Sequence, residues 1–210
     1  MTSNKEMSDP TIKRTRGRKV AAVLAGGLVL GVGTMATLAS WNDSEFASAT
    51  FTSGYFNLEG AVDTAQASFT DHASSGSANS GLTFSTKFNN LTPGDLVAAP
   101  YALRLGIGTT RNAKVTLVAA TKTGTVDDLT YEVVKTSTAG CTTTTTGTPV
   151  VAANTAMTSV VGATVLDLTM GTLVTSPGDP AFLCFKVTAG PNLHQSQTGA
   201  VTWQFQAVSQ

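Results

Sequence analysis

DLTYEVVK, residues 128–135, carries the reading of the fold. Leu129, Tyr131 and Val133 fall on one side of an extended chain, with Thr130 and Glu132 on the other. That two-residue period belongs to an antiparallel strand with an apolar inner face and a wet outer one. Upstream, PYALRLGI (100–107) places Tyr101, Leu103, Leu105 and Ile107 on one face and Arg104 opposite, and AKVTLVAAT (113–121) follows a polar turn. Downstream, AFLCFKVTA (181–189) and GAVTWQFQAVSQ (199–210) read as strands, and in the second Trp203 and Phe205 alternate with Thr202, Gln204 and Gln206. LTFSTKF (82–88) alternates cleanly, and TFTSGYFNL (50–58) reads as the first strand, with both faces partly buried.

The segments between these runs are turns and loops. In NNLTPGD, Pro93 presets φ and Gly94 accepts a positive φ. A second Pro-Gly-Asp lies at 177–179. Residues 61–80 are small and polar, and 138–149 (TAGCTTTTTGTP) reads as an exposed loop. TSVVGATVLDLTMGTLV (158–174) fits either a strand pair interrupted at Gly162 and Gly171 or a stretch with a short helical turn. The pattern amounts to eight or nine strands with no helix after residue 39. It predicts an all-β fold, an antiparallel β-sandwich of jelly-roll type.

Composition agrees. Only 12% of the 210 residues are charged and 41% are apolar, and threonine is abundant. β-Branched residues suit a pleated surface. The net charge of zero hides an asymmetry: residues 1–39 carry +4 and the remainder −4. A mildly acidic body with no basic patch offers nucleic acid no electrostatic footprint.

Residues 13–19 (KRTRGRK) hold five positive charges, and residues 20–39 (VAAVLAGGLVLGVGTMATLA) hold none. These are the basic n-region (1–19) and apolar h-region (20–39) of an export signal, which makes residues 40–210 a single β-sandwich domain. Thr37 and Ala39 sit at −3 and −1 of a cut between Ala39 and Ser40. The alternative is a retained anchor, since twenty uncharged residues just span a bilayer. The absence of an Arg-Arg pair argues against a twin-arginine route. In an exported chain the two cysteines, Cys141 and Cys184, read first as a disulfide, with two unpaired thiols as the alternative. Such a bridge closes a loop of about 40 residues and is worth a few kcal/mol.

Catalytic chemistry is sparse. His72 and His194 lie in polar loops, outside any metal-ligand spacing, and neither a nucleophile elbow nor a phosphate-cradling loop occurs. Asp127-Asp128 reads as a solvated turn, and Asp43, Asp95 and Asp179 as turn hydrogen-bonders. A surface calcium site built from loop carboxylates stays open, without an EF-hand-like spacing behind it. No cofactor and no metal ligand set is expected.

LASWNDSEFASATFTSGYFNLEG (38–60) resembles the signal-to-strand junction of proteins exported through a SipW-type signal peptidase, the TasA/camelysin-like family, and most of all its actinobacterial branch with alternate-type signal peptides. The matching positions are Trp41-Asn42-Asp43, then Thr50, Phe51, Gly54 and Leu58. NNLTPGDLVAAPYALRLGIGTTRNAKVTLVA (89–119) and PNLHQSQTGAVTWQFQAVSQ (191–210) look like two further family stretches. Departures are the long n-region, the threonine loop and the two cysteines. The resemblance implies a jelly-roll domain whose new N-terminus lies just before the first strand. It also implies that this segment, here Trp41, Asn42, Asp43, Phe46 and Phe51, adds as a strand to the next subunit.

The expected function is therefore an exported, non-enzymatic structural protein, secreted or held at the cell surface or matrix, with a fibre subunit that assembles by strand addition as its narrower form. Its expected partners are a signal peptidase during export, further copies of itself or other matrix proteins, and the membrane only before signal removal. A monomeric secreted binding module is the second expectation. A camelysin-like metallopeptidase is the third.

Overall fold

A computed structural model describes residues 43–74, 81–85, 88–125 and 127–210, with Lys19 described in isolation. Ala39, Ser40, Trp41 and Asn42, and with them the expected cut site, the 20–39 run expected to form a signal helix and part of the expected assembly segment, lie outside the described residues. The chain divides into two units, residues 1–51 and 52–210. In the first, residues 43–51 are exposed and carry no regular structure.

The second unit holds every strand among the described residues: β1 (Leu58–Ala61), β2 (Leu96–Leu105), β3 (Ala113–Gly124), β4 (Leu129–Thr136), β5 (Thr148–Ala156), β6 (Leu166–Leu168), β7 (Ala181–Ala189) and β8 (Gly199–Ser209). They form a five-stranded sheet, β1-β2-β7-β4-β5, and a three-stranded sheet, β6-β3-β8. All pairings within both sheets are antiparallel. No helix occurs among the described residues from 43 onward.

The two sheets share one apolar core. Val97, Leu103 and Leu105 enter it from β2, Tyr131 and Val133 from β4, and Leu183, Phe185 and Val187 from β7. The three-stranded sheet contributes Val115, Leu117, Leu166 and Leu168, with Trp203 and Phe205 packed against them. Rings from the two sheets interlock: Phe185 lies 5.1 Å from Trp203 between ring centres, and Tyr101 stacks on Phe205 at 5.5 Å. Burying each large side chain contributes about 1.5–3 kcal/mol, and each offset or edge-on ring pair adds about 0.5–1.5 kcal/mol.

The outer face of the five-stranded sheet departs from the simple inside–outside alternation. Ala98, Val134 and Cys184 form a second small apolar cluster there, with Cys141 packed on it. Lys186 is also nearly buried and pairs with Glu132 at 2.7 Å. Two loops supply this cover. Gln66, itself buried, donates from Nε2 to the carbonyls of Tyr101 and Leu183 and accepts from the Gly140 N–H. One side chain thus ties the loop after β1 and the loop after β4 to the middle of the sheet.

Several sequence expectations are corrected. The strand expected over 50–58 begins at its last residue, Leu58, and runs to Ala61; before it, Tyr55 makes a single parallel bridge to Thr109. Only a flanking sheet edge converts an alternating run into a strand, and 51–54 has none among the described residues. LTFSTKF forms no strand over its described residues, although Ser85 N donates to Ala98 O at 2.8 Å beyond the end of β1. Ile107 points out, because β2 stops at Leu105 and Gly108 turns the chain at φ 83°. β5 arises from residues the pattern assigned to a loop or left unassigned, since Ala152, Ala153 and Asn154 break its alternation. Of 158–174, only Leu166–Leu168 is strand.

The two Pro-Gly-Asp turns work differently. At 93–95, Gly94 takes φ 87° and the Asp95 carboxylate accepts from Thr92 N and Oγ1 at 2.7 and 2.9 Å. At 177–179, Gly178 is needed because a Cβ there would run into the Thr169 carbonyl.

Candidate functional site: the β8 edge and its groove

Cys141 and Cys184 form a disulfide, with 5.1 Å between their Cα atoms. The bridge lies under the threonine loop and fastens the 137–147 loop onto β7. The loop is internally ordered too: Thr142 N donates to Thr145 Oγ1 at 2.9 Å.

Of the expected turn carboxylates, Asp95 holds its own turn. Asp127 pairs with Lys122 at 2.9 Å, and Asp128, at φ 58°, accepts from the Asn192 N–H. Asp63 anchors the loop after β1: the Ser68 and Ala67 N–H groups donate to its carboxylate. These bonds, that from Ser68 foremost, hold its carboxyl below the ordinary aspartate range. His72 contacts Thr70 Oγ1 at 3.1 Å. No group of three or more His, Cys, Asp or Glu side chains is placed to hold a metal among the described residues.

The most distinctive surface feature is the edge of β8. Among the described residues this eleven-residue strand pairs only with β3. Val201, Trp203, Phe205 and Ala207 face the core but are only half-buried, while Thr202, Gln204 and Gln206 are exposed. A groove of about 910 Å³ runs along this edge, and side chains from both faces of β8 line it. Tyr101, Leu103 and Phe185 lie beneath it, residues 56–60 form its far wall, and Asp71 and His72 sit on its rim. Burial pushes the Tyr101 hydroxyl up to about 12. The groove therefore combines aromatic faces, backbone of an edge strand and neutral amide and hydroxyl groups.

Of the residues expected to form the assembly strand, Asp43, Phe46 and Phe51 are described. All are exposed, with Phe46 at 93% and Phe51 at 92%, and none belongs to a strand. The groove residues were only half visible beforehand. Trp203 and Phe205 were legible as inward-facing, but their incomplete burial depends on which strand lies next to β8. Gln66 carries no sequence signal at all within AVDTAQASF.

No protein-family model matches this chain, and no curated protein matches it.

Proposed function

We propose that this is an exported, non-enzymatic structural protein of the cell surface or matrix, folded as a jelly-roll sandwich, whose copies associate by strand addition. Residues 43–54 of one copy lie along the β8 edge of the next. The observation that carries this reading is the pairing of an exposed, unstructured, aromatic-bearing segment with a long edge strand whose inner face is half-open. Side chains from both faces of β8 line the groove, as expected of the space beside a strand that accepts a neighbour. Pairing there satisfies two rows of backbone groups at once, and Phe46 or Phe51 gains cover against Trp203 and Phe205.

Export through the 1–39 signal, cut between Ala39 and Ser40, completes the scheme. Before the cut the donor segment is tethered at the membrane; afterwards it reaches a neighbour. The disulfide suits an oxidising compartment. N-terminal sequencing and size-exclusion of protein recovered from culture test this directly. A start at Ser40 and high-mass species are expected. A variant lacking residues 40–48 that assembles as well as the intact mature protein removes the basis of the proposal.

The same groove favours a second reading, a monomeric binding module. Aromatic faces beside Gln204 and Gln206 suit an extended polar ligand. A clean monomer that starts at Ser40 selects that reading instead.

A further inference from the structure

The end of the second unit at which the chain enters carries an unusual concentration of exposed apolar side chains. Ile107 is 54% exposed, Leu173 66% and Val174 68%, and Tyr55 and Met170 are also exposed. They come from three separate segments that the backbone draws together. Gly108 N donates to Val174 O at 2.9 Å, Thr110 N to Tyr55 O at 3.0 Å, and Met170 N to Asn112 Oδ1 at 3.0 Å. Single exposed apolar residues are ordinary, but a cluster of this kind marks an interaction surface.

We infer that this tip rests on the lipid surface of a bilayer while residues 20–39 are still attached. The inference uses the membrane-directed reading of 20–39 that underlies the proposed function. Three observations select lipid over other occupants. First, several backbone groups of these loops are turned inward on the loops themselves. Leu173 N donates to Ser176 Oγ at 3.2 Å, Ser176 N donates to Leu173 O at 3.0 Å, and Thr109 N donates to Gly106 O at 3.2 Å. An interface with hydrocarbon favours backbone that is internally satisfied, and docking of another copy by strand pairing would have to compete with these bonds.

Second, loops 106–112 and 169–180 carry one cation, Arg111, and one anion, Asp179, so the tip is neutral on a body of charge −4. The attraction is therefore apolar rather than electrostatic. Third, fifteen residues lie between Ala39 and Tyr55. A chain of that length spans at most about 55 Å, so an apolar run held in a bilayer keeps the tip at high effective concentration beside it.

The test is photo-crosslinking of the full-length chain reconstituted into phosphatidylcholine vesicles. Benzoylphenylalanine replaces Leu173 in one sample and Gln195, which is exposed at the opposite end, in another. Phospholipid adducts at position 173 are expected to exceed those at 195 about tenfold, the factor that burying one aliphatic side chain supplies. With the photoprobe in place of Ile107, the double substitution Leu173→Asp and Val174→Asp should remove most of the adduct, and the effect should not depend on salt. Adducts between copies, or equal labelling at 173 and 195, overturn the inference. Protease digestion of the same sample separates the two readings. A protected 20–39 peptide without lipid adducts at 173 overturns the tip alone; an unprotected one overturns both.

Discussion

Tyr101 lies where the two sheets meet: its ring stacks on Phe205 and meets Phe185 edge-on at 6.0 Å. Burial raises its hydroxyl from 10.0 to about 12, so the folded protein holds that proton more tightly than the unfolded chain. The sign follows: this contribution is intact below pH 10 and is lost as pH rises towards about 12. It amounts to at most about 2–3 kcal/mol. Urea melts between pH 9 and pH 12 should show that loss in the wild type and much less of it in Tyr101→Phe. Gln66 gives a second residue-scale prediction. Gln66→Leu leaves the Gly140 N–H and two sheet carbonyls without their side-chain partner. Groups left buried and unpaired cost about 1–3 kcal/mol, which chemical denaturation will measure. Tyr101 was legible as a core residue because its strand alternates. Gln66 was not, because its role depends on loops 74 residues apart in sequence, one of which presents Gly140.

At the scale of elements, legibility followed clear punctuation or a clear two-residue period. β7 matched its expected bounds because flanking Pro180 and Gly190 punctuate a run that is buried on both faces. β4 and β8 matched to within a residue or so because their residues alternate with a period of two. β5 escaped because it is an edge strand with small residues, and its pairing with β4 shifts register twice. The N-terminal run TFTSGYFNL has strand composition yet stays irregular up to Leu58 apart from the Tyr55 bridge, so its propensity awaits a partner edge. The β8 edge makes that idea testable. Gln204→Lys with Gln206→Lys places like charges along the edge without touching the core, a common way to discourage edge pairing. Size-exclusion should show loss of high-mass species, with an unchanged circular dichroism spectrum and melting temperature.

On the scale of the whole molecule, the disulfide and Gln66 hold the outer cover of the five-stranded sheet at neighbouring points. Closing a chain separation of 43 residues constrains the unfolded state by about 4 kcal/mol in the chain-entropy account. Cys141→Ala with Cys184→Ala should therefore lower stability by about 2–4 kcal/mol. Reduction should give the same loss, and hydrogen exchange should rise first in 137–147 and then around Gln66. The sequence by itself determined the all-β class, most strand positions, the inward set from Leu103 to Phe205 apart from Ile107, and which two cysteines were available to pair. Those properties are written in local period, in turn residues and in a count of two. Only the tertiary structure decided that β8 is an edge with a half-open inner face, that loops cover the far side of the larger sheet, and that Ile107, Leu173 and Val174 gather at one end. Each of these depends on which strands become neighbours, and neighbour choice is a non-local balance of packing and backbone pairing that no single run of residues contains.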